Sequence, residues 1–177
     1  MKFKIEKRKF GTQRLRFWKP KEGENIILLD LGREPRIREQ EFKNGKKLFA
    51  DFYVEALNEK GELERFYWSI PIARAERVNG ELIIYFWENS QRGSQIIEIA
   101  EKYGYQSHIV KVIVQRDPNN RLNTDYKIIH SDNCPCLEKR EIIQTKEGKI
   151  EFTEHRIPES DVIELLKRRV RELRDQR

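Results

Sequence analysis

"KLFADFYVEALNEKGELERFYWSI", residues 47–70, reads as two β-strands joined by a turn. Leu48, Ala50, Phe52, Val54 and Ala56 alternate with Lys47, Phe49, Asp51, Tyr53 and Glu55. A period of two puts the first set on a core-facing side and the second on the opposite side. Asn58, Glu59, Lys60 and Gly61 supply the turn, so residues 62–70 return as the hairpin partner. Tyr53, sharing its side with Asp51 and Glu55, is expected to be exposed. Phe66 and Trp68 share a side with Glu62 and Glu64, which argues against their full burial.

On the N-terminal side stands "RLRFWKPKEGENIILLDL", residues 14–31, in which basic and aromatic residues lead through a turn into an apolar strand. On the C-terminal side, residues 72–78 fit no single pattern. Asn79-Gly80 marks a tight turn before the apolar strand of residues 82–87. The period then changes: Ile96, Ile97, Ala100 and Tyr103 follow helical spacing, and Gly104 stands where a helix end favours a left-handed residue. Residues 108–116 and 122–129 resume strand patterning across Asp117-Pro118-Asn119-Asn120. Residues 141–144 and 149–153 flank Lys146-Glu147-Gly148 as a late hairpin. The chain closes with Pro158 at a helix start and a stripe of Val162, Leu165, Leu166, Val170 and Leu173.

The fold class expected is mainly β (α+β): a five-stranded OB-fold barrel with a helix between the third and fourth strands. The late hairpin and the C-terminal amphipathic helix are additions. The corresponding division is an OB-fold domain over residues 1–133, a hairpin extension over 134–157 and a terminal helix over 158–177. That helix is too apolar along its stripe to stand in water, so it is expected to pack on the barrel or to associate with a copy of itself.

Charge is unevenly spread. Residues 1–48 carry 15 Lys and Arg against 7 Asp and Glu, residues 49–106 carry 6 against 10, and residues 107–177 carry 15 against 13. A basic excess gathered at one end of the chain fits a polyanionic partner. No run of about 18 apolar residues suggests a membrane span, and the opening MKFKIEKRKF lacks the apolar segment of a signal peptide. The expectation is a soluble, cytoplasmic protein with no membrane partner. Two cysteines, Cys134 and Cys136, are too few for a disulfide framework and suit a reducing compartment. Charged residues at 37%, with one Met, also match thermophile usage.

"FWKPKEGENIILLDL" resembles the start of the OB domain in the helix-destabilising single-stranded DNA-binding proteins of tailed phages and their relatives. There an aromatic or apolar residue precedes a Lys-x-Gly-x-Asn turn and an Ile-rich first strand. "RDPNNRLNTDYKII", residues 116–129, resembles their closing pair of strands. The likeness spans about residues 14–130 and implies single-strand binding. The chain departs from it by ending in a basic helix where many of those proteins have an acidic tail, and by lacking a counterpart of the zinc subdomain some of them carry.

Sequence-tolerant strand binding needs π-faces for bases and cations along the backbone. The candidate stackers are Trp18, Tyr53, Phe66, Trp68, Trp87 and Tyr126. The candidate phosphate contacts are Arg14, Arg16, Lys19, Lys21, Arg65, Arg116, Arg121 and Lys127. Each aromatic has core packing as its alternative, and each cation a solvated role. His130, Cys134, Cys136 and His155 would make a four-ligand zinc set, but Cys-x-Cys is shorter than the usual knuckle, so idle thiols and surface histidines weigh more. Glu147-Gly148-Lys149 spells a nuclease-like Glu-x-Lys with no Asp at suitable spacing on a preceding strand. The sequence therefore points to a non-catalytic single-stranded DNA-binding protein without a cofactor. An RNA-binding barrel, or an oligomeric interaction module built on the terminal helix, stands as the alternative.

Overall fold

A computed structural model describes residues 1–4, 15–131, 140–144, 150–154 and 167–168. The strands are β1 (Lys2–Lys4), β2 (Arg16–Phe17), β3 (Gly23–Asp30), β4 (Arg36–Phe42), β5 (Gly45–Leu57), β6 (Leu63–Ile72), β7 (Arg74–Val78) and β8 (Glu81–Tyr85). After helix α1 (Gln91–Tyr103) come β9 (Ser107–Asp117), β10 (Asn120–His130), β11 (Arg140–Gln144) and β12 (Ile150–Glu154). The fold is thus mainly β.

Seven strands make one sheet in the order β10-β9-β3-β5-β6-β2, with β4 also paired to β5. The long β5 shares one edge between two partners: β4 runs beside Gly45 to Asp51, and β3 beside Tyr53 to Glu55. Three strands, in the order β1-β8-β7, make a second sheet, and β11 pairs antiparallel with β12. Phe3, Leu82 and Ile84 of the second sheet share one core with Ile96, Ile99 and Ala100 of α1 and with the inner side of the large sheet.

The large sheet is open, not the closed barrel expected. Both edges that closure would join are already occupied. β2 lies parallel along β6, and α1 covers β10 with two glutamines one turn apart. Gln91 Oε1 accepts from the Tyr126 N–H at 2.9 Å and Gln95 Oε1 from the Ile128 N–H at 2.6 Å, while Gln95 Nε2 donates to the Tyr126 carbonyl at 2.8 Å. Side-chain amides so replace a neighbouring strand and blunt an edge that would otherwise invite pairing.

The helix begins where Ser90 Oγ accepts from the Gly93 N–H at 3.1 Å and ends at Gly104, whose φ of 98° needs glycine. Gly93 has a second role, since a Cβ there would fall 2.4 Å from the Phe86 ring. Of the terminal helix only residues 167–168 are described, so its stripe lies outside the described part.

Candidate nucleic-acid interface

The β5–β6 register decides which side chains face outward. Phe52 pairs with Trp68, Val54 with Phe66 and Tyr53 with Tyr67. Phe66 and Trp68 therefore lie on the core side, Trp68 only 1% exposed, which corrects their assignment as open stacking residues. Glu62 and Glu64 share that side but stand at the hairpin end, outside the core cluster, where Glu64 is held by Arg16 through two oxygens at 2.7 Å. A pair of acids beyond the edge of the core thus says nothing about the burial of aromatics further along the strand.

The opposite side carries a different set. Reading across strands, it presents Arg36, Arg38 and Phe42 from β4, Phe49, Asp51, Tyr53 and Glu55 from β5, Arg65, Tyr67 and Ser69 from β6, and Phe17 from β2. Their rings form a row: Phe42 and Phe49 lie 6.1 Å apart, Phe17 and Tyr67 6.2 Å, and Tyr67 and Tyr53 5.3 Å. Arginine planes fill the row. Arg38 lies 4.9 Å from the centre of the Phe49 ring and 5.0 Å from that of Phe17, Arg36 lies 4.1 Å over Tyr67, and Arg33 lies 5.6 Å over Tyr53.

Asp51 fixes two of these planes. Its carboxylate is fully buried and accepts from Arg36 Nε at 2.9 Å and a terminal nitrogen at 2.7 Å, and from Arg38 Nε at 3.1 Å. Arg38 also donates to Ser69 Oγ at 3.0 Å and to Gln40 Oε1 at 2.6 Å. One buried acid holding two arginines leaves a positive surplus while setting both guanidinium planes over rings. Burial, and next to it the neighbouring Tyr67 hydroxyl, raise the Tyr53 phenol above its ordinary pKa.

Beside Tyr53 the same face has a narrow dip, lined among others by Asp30, Arg33, Tyr53, Glu55, Arg65 and Ser107. Arg65 Nε donates to Glu55 Oε1 at 2.9 Å, and Arg33 pairs with Asp30 at 3.0 Å.

The remaining candidates are scattered. Trp18 is half-buried, edge-on against Trp68 at 5.1 Å, so it is part of the core margin and not an open platform. Arg16 is spent on Glu64 on the core side of the hairpin. Lys19 and Lys21 are exposed in the turn before β3, where Asn25 accepts from the Lys21 N–H at 2.9 Å and donates to the Val112 carbonyl at 3.1 Å. Arg116 joins that turn by donating to the Pro20 carbonyl at 3.1 Å. Tyr126 faces inward from β10, half-buried beneath Arg92 at 4.5 Å. Lys127 is exposed on the outer side of β10. Trp87 is 57% exposed but follows β8, apart from the row. The side chains of Arg14 and Arg121 lie outside the described part.

His130 is a buried residue in place of a surface one. It stacks on Tyr103 at 3.7 Å and meets His108 through Nε2 to Nδ1 at 3.2 Å. His108 Nε2 lies 2.7 Å from the Gly104 carbonyl. Since a carbonyl only accepts, the network assigns the His108 proton to Nε2, and His130 Nε2 then donates to His108 Nδ1. Cys134, Cys136 and His155 lie outside the described residues, among which no group of three His, Cys, Asp or Glu is placed to hold a metal. No helix among the described residues is long and apolar enough to cross a membrane.

Of the candidates named from the sequence, Tyr53 and Arg65 lie on this face; Phe17, Arg33, Arg36, Arg38, Phe49 and Tyr67 lie there without being among those candidates. The missing signal was parity. With Tyr53 on the outer side, a turn pairing Leu57 with Leu63 carries Tyr67, and not Trp68, to the same side. The spacing of Arg36 and Arg38 about Ile37 is the matching period-two pattern. No family model matches the chain, nor does any curated protein or solved structure.

Proposed function

We propose that the protein binds single-stranded DNA, without catalysis, along the outer face of β4, β5, β6 and β2. The observation that carries this reading is the row of rings and guanidinium planes built on Asp51. Bases stack on aromatic faces and on arginine planes, and the same arginines meet phosphates. A merely solvated sheet face has no need of Phe17, Phe42, Phe49 and Tyr53 on one side, with Tyr67 buried beneath Arg36.

Strand order supports the reading. Counting β3, β5, β6, β9 and β10, the helix falls between the third and fourth, an order compatible with an OB fold, although the sheet is open between β6 and β10. The ligand face of that fold lies on its second and third strands; on this reading these would be β5 and β6, where the row is. The likeness of residues 17–31 and 116–129 to phage single-strand binders adds a second support. Lys19 and Lys21, exposed at the end of the sheet, would add long-range attraction.

Fluorescence anisotropy with labelled single-stranded DNA, duplex DNA and RNA of one length, each at two salt concentrations, tests the proposal. Preference for the single DNA strand, weakening with salt, is expected. Equal binding of duplex sinks the stacking face, and preference for RNA moves the ligand class.

A further inference from the structure

We infer that the hairpin of β11 and β12 docks on the outer side of the large sheet, over Leu28 and Ile109. The core lies on the inner side of that sheet, where α1 and the second sheet pack. The outer side of an antiparallel sheet is wetted wherever nothing lies on it. Ile26 and Leu28 of β3, Ile109 and Ile113 of β9 and Ile129 of β10 face outward, alternating with core residues along their strands. Their exposure is graded. Ile129 is 39% exposed and Ile26 and Ile113 are half-buried, whereas Leu28 and Ile109, which pair directly, are 3% and 1% exposed. Neither belongs to the core cluster. Arg33, Glu55 and Arg65 stand around Leu28, but β3 and β10 occupy the edges of β9 and not the face that Ile109 presents. The lone chain already hides Ile109, so its cover comes from the chain itself.

Burial deepens toward the end of the sheet at which the chain leaves it. The Ser131 N–H donates to the Ile109 carbonyl at 2.9 Å, so whatever follows β10 starts beside the covered pair. Eight residues, 132–139, lead from there to β11, at most about 29 Å of chain and enough to turn back over β9. The hairpin in turn needs a surface. Two strands paired only with each other are marginally stable in water, and β11 and β12 pair with no third strand. Their register sets Ile142 opposite Phe152 and Gln144 opposite Ile150 on one side of the ladder, with Glu141 opposite Thr153 and Ile143 opposite Glu151 on the other. The first side is the apolar one and suits Leu28 and Ile109; the second, with two acids, suits water. Leu28 pairs with Glu55, two residues from Tyr53, so a hairpin seated there stands at the Tyr53 end of the ring row.

A nitroxide at Glu147→Cys, between the two strands, in the full chain carrying Cys134→Ser and Cys136→Ser, tests the docking by amide NMR. Leu28 and Ile109 should lose most of their amide intensity while β7, in the other sheet, keeps its own. No loss at Leu28 and Ile109, or an equal loss across β7, overturns the docking. Two further samples stand for rival occupants. A nitroxide at Gln176→Cys reports the terminal helix, and labelled protein mixed with isotopically enriched, unlabelled protein reports a second copy. Broadening of Leu28 and Ile109 in either of these, without broadening from residue 147 within one chain, gives the site to the rival. A thermodynamic cycle checks the contact without a label. The shifts in urea midpoint of Ile109→Ala and Phe152→Ala should be clearly less than additive in the double variant, because the two changes empty one shared contact. Additive shifts would mean separate surroundings and overturn the docking, and the amide experiment decides where a truncated variant does not fold.

Discussion

Arg36 and Arg38 give the proposed interface its sharpest test, provided Asp51 is removed with them. Arg36→Ala/Arg38→Ala alone would leave a fully buried carboxylate without its two partners, a cost of about 3–5 kcal/mol. A domain holding on the order of 5–15 kcal/mol in all could lose its fold before its affinity. Adding Asp51→Ala removes the stranded charge. In this triple variant two cations and one acid disappear, so net charge falls by one. Both side chains reach solvent, Arg36 at 44% and Arg38 at 26%, so each can meet one phosphate. At about 0.7 per contact on a single strand, the slope of log affinity against log salt should fall by roughly 1.4. The control is Arg74→Ala. It also lowers net charge by one and also lifts a guanidinium from a tyrosine, Tyr85 at 4.2 Å, but on β7 in the other sheet. Titration of a labelled 20-residue strand between 50 and 400 mM salt, with a thermal melt of each variant, gives the comparison. An unchanged slope in a folded triple variant, or an equal fall in Arg74→Ala, would refute the assignment and leave the guanidiniums as packing for Asp51 and its rings.

Three further outcomes follow from the geometry. Gln95→Ala removes the hydrogen bonds that cover the β10 edge at Ile128 and Tyr126 and should cost about 1–3 kcal/mol in urea unfolding, with amide exchange quickening first at Ile128; unchanged protection there would mean the edge is covered by other means. Trp68→Ala should cost about 3–5 kcal/mol, whereas Trp68→Phe should cost clearly less because the buried indole N–H has no acceptor among the described residues; lost affinity at unaltered stability would return Trp68 to the binding face. Tyr53 should titrate above the ordinary tyrosine range in a spectrophotometric titration. Its neutral form is favoured in the folded state, so its stabilising effect is intact below the unfolded pKa near ~10 and is lost as pH rises from there through the folded value. Tyr53→Phe should flatten that alkaline decline, and an equally steep decline would place its cause elsewhere.

How far the sequence could be read depended on whether a strand had one dry side. β5 does, so Leu48 to Ala56 announced it, and the turn at Asn58 to Gly61 announced β6. Gly104 announced the end of α1 because only the left-handed region suits that position. β4 was silent. Of Arg36 to Phe42 every residue but Ile37 and Arg38 is exposed, because the strand extends past the core with only β5 beside it, and a strand wet on both sides shows no apolar period. Edge capping was silent for another reason. Gln91 and Gln95 look like ordinary surface residues of a helix until β10 is in place to receive them. The outer face was not legible for want of a register between strands, since a slip of one residue exchanges the two sides of a strand.

The arrangement on that face also explains how a mildly basic protein with acids among its arginines could still hold a polyanion. Free lysines such as Lys19 and Lys21 attract from a distance, but ordering such a side chain on a ligand costs about 0.5–1.5 kcal/mol each time. Arg36 and Arg38 are ordered before any ligand arrives, because Asp51 binds their inner nitrogens and Tyr67, Phe17 and Phe49 fix their planes. The acid lowers the charge available by one and removes most of that ordering cost for two residues. Under strong screening the long-range attraction fades first, so the arginine row should carry the affinity that survives at high salt, and the lysine turn the part that is lost.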